Sequence, residues 1–128
     1  MPKEKQLTVA CENRPGALAH IANVIGEAKV NILAFLTTTS GAQGSVQVVV
    51  DNANRAKKAL DAAKLSYSEA DVLHVELPNL PGALGSFAAK LAAKEINITS
   101  GYQTAVKGSK KASVVFAVSD LGKAARVR

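Results

Sequence analysis

Asn13-Arg14-Pro15-Gly16-Ala17-Leu18 returns 66 residues later as Asn79-Leu80-Pro81-Gly82-Ala83-Leu84. Asn31-Ile32 returns at the same interval as Asn97-Ile98. Val46, Val48 and Val50 correspond to Val114, Phe116 and Val118 at an interval of 68, so two extra residues fall in the turn between these landmarks. A spacing held at three places marks a duplication. It divides the 128 residues into copies spanning 1–70 and 71–128, a length suited to one compact domain or two small ones sharing a core.

Working outward from the hexapeptide, each copy reads as strand, helix, strand, strand, helix. Leu7, Val9 and Cys11 alternate with Thr8, Ala10 and Glu12, the period of a half-buried strand. Leu73, Val75 and Leu77 repeat the pattern. A helix opened by Pro15 follows, since a first turn does not need the missing N–H. Leu18, Ile21, Ala22, Ile25 and Ala28 give that helix one apolar face; Leu84, Phe87, Ala88, Leu91 and Ala92 do the same in the second copy. Residues 31–39 and 45–50 predict a hairpin, matched by one turning at Lys107-Gly108-Ser109-Lys110. A second helix over 53–63 starts after Asp51 and Asn52, both good N-caps. Leu65 to Glu69 is the expected closing strand of the first copy.

The order βαββαβ folds most simply as an α+β, ferredoxin-like layer, an antiparallel sheet with both helices on one face. The second copy runs out partway through its final helix, so its closing strand is missing. The strand over Leu73 to Leu77 is then expected at a sheet edge, covered by a partner or kept short.

The hexapeptide sits where a strand runs into a helix. Pro fixes the chain's entry, Gly allows close backbone approach, and first-turn N–H groups lack partners within the helix, which suits a carboxylate. An Asn side chain carries a donor and acceptors, so it can meet either end of a zwitterion. A purely structural reading stays open beside this one. Asn13 and Asn79 can cap a helix, Asn31 and Asn97 can end one in the left-handed conformation, and Pro-Gly is a common turn.

Asn-x-Pro-Gly-x-Leu, an amphipathic helix, and then Val30-Asn31-Ile32 or Ile96-Asn97-Ile98 resemble the ACT domain, a small-molecule-sensing module of amino-acid metabolism. The resemblance covers both copies. It implies regulatory binding of a free amino acid at the seam between ACT units, with sheets of neighbouring units joined edge to edge. Carried onto this sequence, it implies contacts from Asn13, Arg14, Pro15, Gly16, Ala17 and Leu18 with Asn31 and Ile32. The second-copy equivalents are Asn79, Leu80, Pro81, Gly82, Ala83 and Leu84 with Asn97 and Ile98. It implies no cofactor, and a separate metabolic enzyme as the regulated partner. Some serine-sensing members carry a His two residues before the first Asn, where this chain has Cys11 and Leu77. Arg14 opposite Leu80 makes the copies unequal.

Composition narrows the remaining classes. The net charge of +6 is scattered along the chain rather than clustered, so a solvated surface accounts for it and no nucleic-acid partner is expected. RNA-binding relatives of this layer stack bases on aromatics of the central strands, whereas residues 45–50 contain none and Phe116 aligns with core-facing Val48. No apolar run reaches membrane length and the first residues are charged, so a cytoplasmic, membrane-free protein is expected. The single cysteine, Cys11, excludes an internal disulfide and a Cys-rich metal site. It reads as a small core-facing residue. His20 and His74 have no partner evident in sequence, and no paired carboxylates, metal spacing, phosphate loop or Gly-x-Ser-x-Gly elbow appears, so no catalytic site is expected. Leu33, Phe35, Val49, Val115 and Ala117 are placed on the sheet face away from the helices, a patch that predicts a homodimer or larger oligomer. The competing function is an interaction module whose ligand site has decayed.

Overall fold

The computed structural model describes residues 3–127. The elements run β1 (Lys3–Glu12), α1 (Ala17–Glu27), β2 (Ile32–Ser40), β3 (Gln43–Val50), α2 (Ala53–Ala62), β4 (Tyr67–Pro78), α3 (Ala83–Ala93), β5 (Ile98–Ala105), β6 (Lys111–Val118) and α4 (Leu121–Ala124). The chain divides into an N-terminal unit, Lys5–Ala70, and a C-terminal unit from Asp71 onward that also takes in Lys3 and Glu4.

In the N-terminal unit the strands run β2-β3-β1-β4, with β4 contributing its first residues. The register pairs Leu7 with Val48 and Val9 with Val46, so these four side chains share a face. Onto it pack Ile21 and Ile25 of α1 and Ala56 and Leu60 of α2, all buried. At about 25 cal/mol per Å² of apolar surface removed from water, each such aliphatic side chain contributes about 1.5–3 kcal/mol. In the C-terminal unit, Leu73, Leu77, Val114 and Phe116 form the equivalent face, covered by Phe87 and Leu91 of α3 and Ala124 of α4. The Phe87 and Phe116 rings stack with centroids 5.9 Å apart.

Several expectations need correction. The closing strand of the first copy and the opening strand of the second are one continuous β4, since neither Gly nor Pro interrupts Tyr67 to Leu77. Leu73–Pro78 of β4 pairs antiparallel with β6, and Lys3 and Glu4 group with the C-terminal unit. The alternation read from Leu7 understated β1, which begins four residues earlier.

Neither proline opens a helix. Ala17 N–H donates to the Arg14 carbonyl at 3.3 Å and Gly16 holds φ 88°, a type II turn with Pro at its second position and Gly at its third. Leu80-Pro81-Gly82-Ala83 repeats it, with a 3.2 Å bond and φ 86°. Gly16 and Gly82 are therefore the N-caps, and Asn13 and Asn79 are not. Nor do Asn31 and Asn97 end a helix in the left-handed region. Lys29, at φ 64°, and Glu95, at φ 59°, do so two residues earlier. The bonds Lys29 N to Gly26 O and Val30 N to Ile25 O form a Schellman motif.

The sheet-face patch also changes. Ile32 pairs with Val50 and Ala34 with Val49, leaving Leu33 in a bulge. One extra residue flips the alternation beyond it. Phe35 therefore pairs with core-facing Val48 and lies on the helix side, in an apolar hollow of about 310 Å³ with Leu18, Ala22 and Ile32. Val49 and Val115 are buried and Ala117 half-buried, so the five residues do not form a bare apolar face.

Candidate functional site

The strand-to-helix junction is built the same way twice. Asn13 donates from its backbone N–H to the Ala42 carbonyl at 2.9 Å and from Nδ2 to the Gly41 carbonyl at 2.8 Å. Asn79 bonds the other hairpin loop, N–H to Lys110 O at 2.9 Å and Nδ2 to Ser109 O at 2.9 Å. Each Asn latches the end of a strand to the tip of a hairpin, which engages the amide nitrogen and leaves Oδ1 as an acceptor. The type II turn then delivers the helix with no side-chain cap. The first helical bond is His20 N to Gly16 O in α1 and Ser86 N to Gly82 O in α3. The N–H groups of Leu18 and Ala19, and of Leu84 and Gly85, consequently point out of the helix end without a protein acceptor among the described residues.

Asn31 and Asn97 stand at the other end of these helices. The Asn31 backbone exchanges two hydrogen bonds with Asp51, at 3.0 Å to Oδ1 and 3.1 Å from its N–H. Ser119 plays that part for Asn97, with both bonds at 2.9 Å. Both side chains are exposed and make no hydrogen bond among the described residues. An 11-residue helix separates Asn13 from Asn31, about 16 Å along the axis at 1.5 Å per residue. One unit does not bring them together.

A cleft adjoins each junction. In the N-terminal unit it measures about 330 Å³ and is lined by Cys11, Glu12, Arg14, Ala17, His20 and Lys64, among others. Its counterpart in the C-terminal unit measures about 420 Å³ and is mainly apolar, with Leu77, Ala83, Phe87 and Val127 beside Glu76 and Lys90. Of the residues expected from sequence, Arg14, Ala17 and Ala83 line these clefts. Leu18 and Ile32 line the apolar hollow instead. The backbone groups of Pro15, Gly16, Pro81 and Gly82 shape the turns, and Leu80, Leu84 and Ile98 line neither cleft.

Sequence reasoning missed Glu12, His20 and Lys64. Glu12 follows the last inward position of β1, and Lys64 follows α2 in its own Schellman motif at φ 60°. Only the fold draws these segments to one hollow. Cys11, half-buried against the core, also faces the cleft. Arg14 Nε lies 3.6 Å from a Glu12 carboxylate oxygen, with both side chains largely exposed, so the pair contributes little to stability.

His74 has a partner that the sequence did not reveal. Its Nε2 lies 2.6 Å from Ser113 Oγ, across the β4–β6 pair, in a shallow hollow with Glu4 and Glu76. No helix among the described residues is long and apolar enough to cross a membrane. No group of three or more His, Cys, Asp or Glu side chains there is placed to hold a metal.

A family model of the ACT domain matches residues 5–64. Among solved structures, the chain is similar to protein BT0572 from Bacteroides thetaiotaomicron, with 28% identity and TM-score 0.89 over 96% of this chain and 84% of that one. It shares its fold with the ligand-free regulatory subunit of aspartate kinase from Thermus thermophilus, at 16% identity and TM-score 0.68, covering 91% of this chain and 83% of that one. The corresponding subunit from Thermus flavus gives 16% identity and TM-score 0.64, covering 98% and 89%. No curated protein sequence matches.

Proposed function

We propose, from the match of residues 5–64 to the ACT domain family model, that this chain is a regulatory protein that binds a free amino acid beside its strand-to-helix junctions. One observation carries the reading. At each junction an uncapped helix start stands beside a cleft of metabolite size, whose lining includes the first helical residue, Ala17 or Ala83. A carboxylate meets the bare N–H groups of Leu18 and Ala19, where the helix dipole also favours negative charge. Glu12 supplies an acceptor for an ammonium group. The exposed carboxamides of Asn31 and Asn97 are available to a ligand held on a second copy of the chain, and the same contact makes the protein an oligomer.

The regulated activity belongs to a separate enzyme in this reading. Binding acts on it by favouring one arrangement of the assembly, which requires different affinity for the two arrangements. The aspartate kinase regulatory subunits that share the fold illustrate such a division between sensor and catalyst.

A thermal-shift screen of the common amino acids at millimolar concentration tests the proposal. A ligand at 100 times its Kd stabilises the folded chain by about 2.7 kcal/mol, so at least one amino acid raises Tm by several degrees. No shift with any of them favours a module without a working ligand site.

A further inference from the structure

The two copies place different charges around equivalent clefts. The N-terminal cleft carries Arg14 and Lys64 against the single carboxylate of Glu12, with His20 beside them. The C-terminal cleft carries Lys90 against Glu76, on a wall of Leu77, Phe87 and Val127. His20 of one corresponds to Ser86 of the other, and Cys11 to Leu77, at the 66-residue interval. The duplication has therefore kept the shape and changed the electrostatics.

We infer that the N-terminal cleft selects an amino acid with an acidic side chain, aspartate or glutamate, and that the C-terminal cleft does not. This rests on the reading of the clefts as amino-acid sites. A neutral zwitterion brings one carboxylate and one ammonium, which would leave one cation of the N-terminal cleft unmatched. A dicarboxylic amino acid brings two carboxylates and one ammonium, the complement of two cations and one carboxylate. Complementary charge of this kind sets specificity more than raw affinity. Arg14 still has donors to offer, because its guanidinium carries five N–H groups and the contact to Glu12 engages one nitrogen. A volume of about 330 Å³ lies at the small end of ligand pockets, as fits a single amino acid.

Lys64 allows a clean test. It occupies the left-handed position after α2, at φ 60°, where glycine is favoured. Lys64→Gly thus removes the cation while relieving the backbone, so lost binding cannot be ascribed to a damaged fold. Isothermal titration of the full chain with L-aspartate, L-glutamate, glycine and L-leucine reads the result. One acidic amino acid is expected to bind at least tenfold more tightly than either neutral one. Lys64→Gly and Arg14→Gln each weaken that binding about tenfold or more, as for a lost charged hydrogen bond. Tm of Lys64→Gly is no lower than that of the parent. Lys58→Gln, which removes the same charge from an exposed position outside the cleft, leaves the affinity within twofold. Equal or tighter binding of a neutral amino acid, or an acidic ligand indifferent to Lys64→Gly, overturns the inference and leaves the proposed function standing. Absence of binding by any amino acid overturns both.

Discussion

Gly82 sits at φ 86° with open space where a Cβ would stand. Replacing it with alanine therefore meets no clash, and the cost is conformational alone, about 1–2 kcal/mol for an L-residue in the left-handed region. Urea denaturation of Gly82→Ala, and of Gly16→Ala in the other copy, should show this loss; an unchanged midpoint would mean the type II turn is not required. Tyr102 gives a pH dependence. Burial pushes its phenol up to about 12 from 10.0. Below pH 10 the phenol is neutral in both the folded and unfolded chain, and its contribution is fully present. Between pH 10 and about 12 the unfolded chain ionises first, so stability falls as pH rises. Tyr102→Phe should flatten this alkaline loss in thermal melts from pH 9 to 11.5, and an identical slope would contradict the assignment. At this scale the sequence was partly legible. Pro-Gly announced a turn, yet the role of Asn13 depends on carbonyls 28 and 29 residues away, which no local pattern reveals.

The paired hairpins show how elements compensate. Phe35 faces Val48 across β2 and β3, whereas Gly101 faces Phe116 across β5 and β6. A Cβ at Gly101 would lie 3.0 Å from Phe116 Cδ1. The large and small partners have exchanged strands between copies, keeping one ring per pair. Gly101→Phe alone should overpack the sheet by about 1–3 kcal/mol, and Phe116→Val alone should open a cavity at about 2–4 kcal/mol. The double variant should recover at least 1 kcal/mol relative to their sum, read as a coupling energy from a double-mutant cycle. Strict additivity would count against the exchange. Helix faces and hairpins were readable because apolar spacing is local. The bulges at Leu33 and Thr99 were not, because an extra residue leaves no compositional mark yet reverses every inward and outward assignment after it. That reversal puts Phe35 on the helix side, opposite the face that unbroken alternation predicts.

For the whole molecule, a duplication readable at three landmarks yielded two units, each with its own core. The chain's first strand residues group with the second of them, something the period of 66 could not disclose because a sequence repeat reports likeness and not packing. The clefts were illegible for a related reason, since their linings come from segments some 50 residues apart in sequence. What the repeat did expose was the junction, and the functional account depends on its unpaired backbone donors. The most direct measurement is an amide chemical-shift titration of the isotopically labelled chain with the amino acid that raises Tm most. The account predicts the largest movements at Leu18 and Ala19, or at Leu84 and Gly85, saturating with the binding isotherm. Saturation with those four amides unmoved would contradict it.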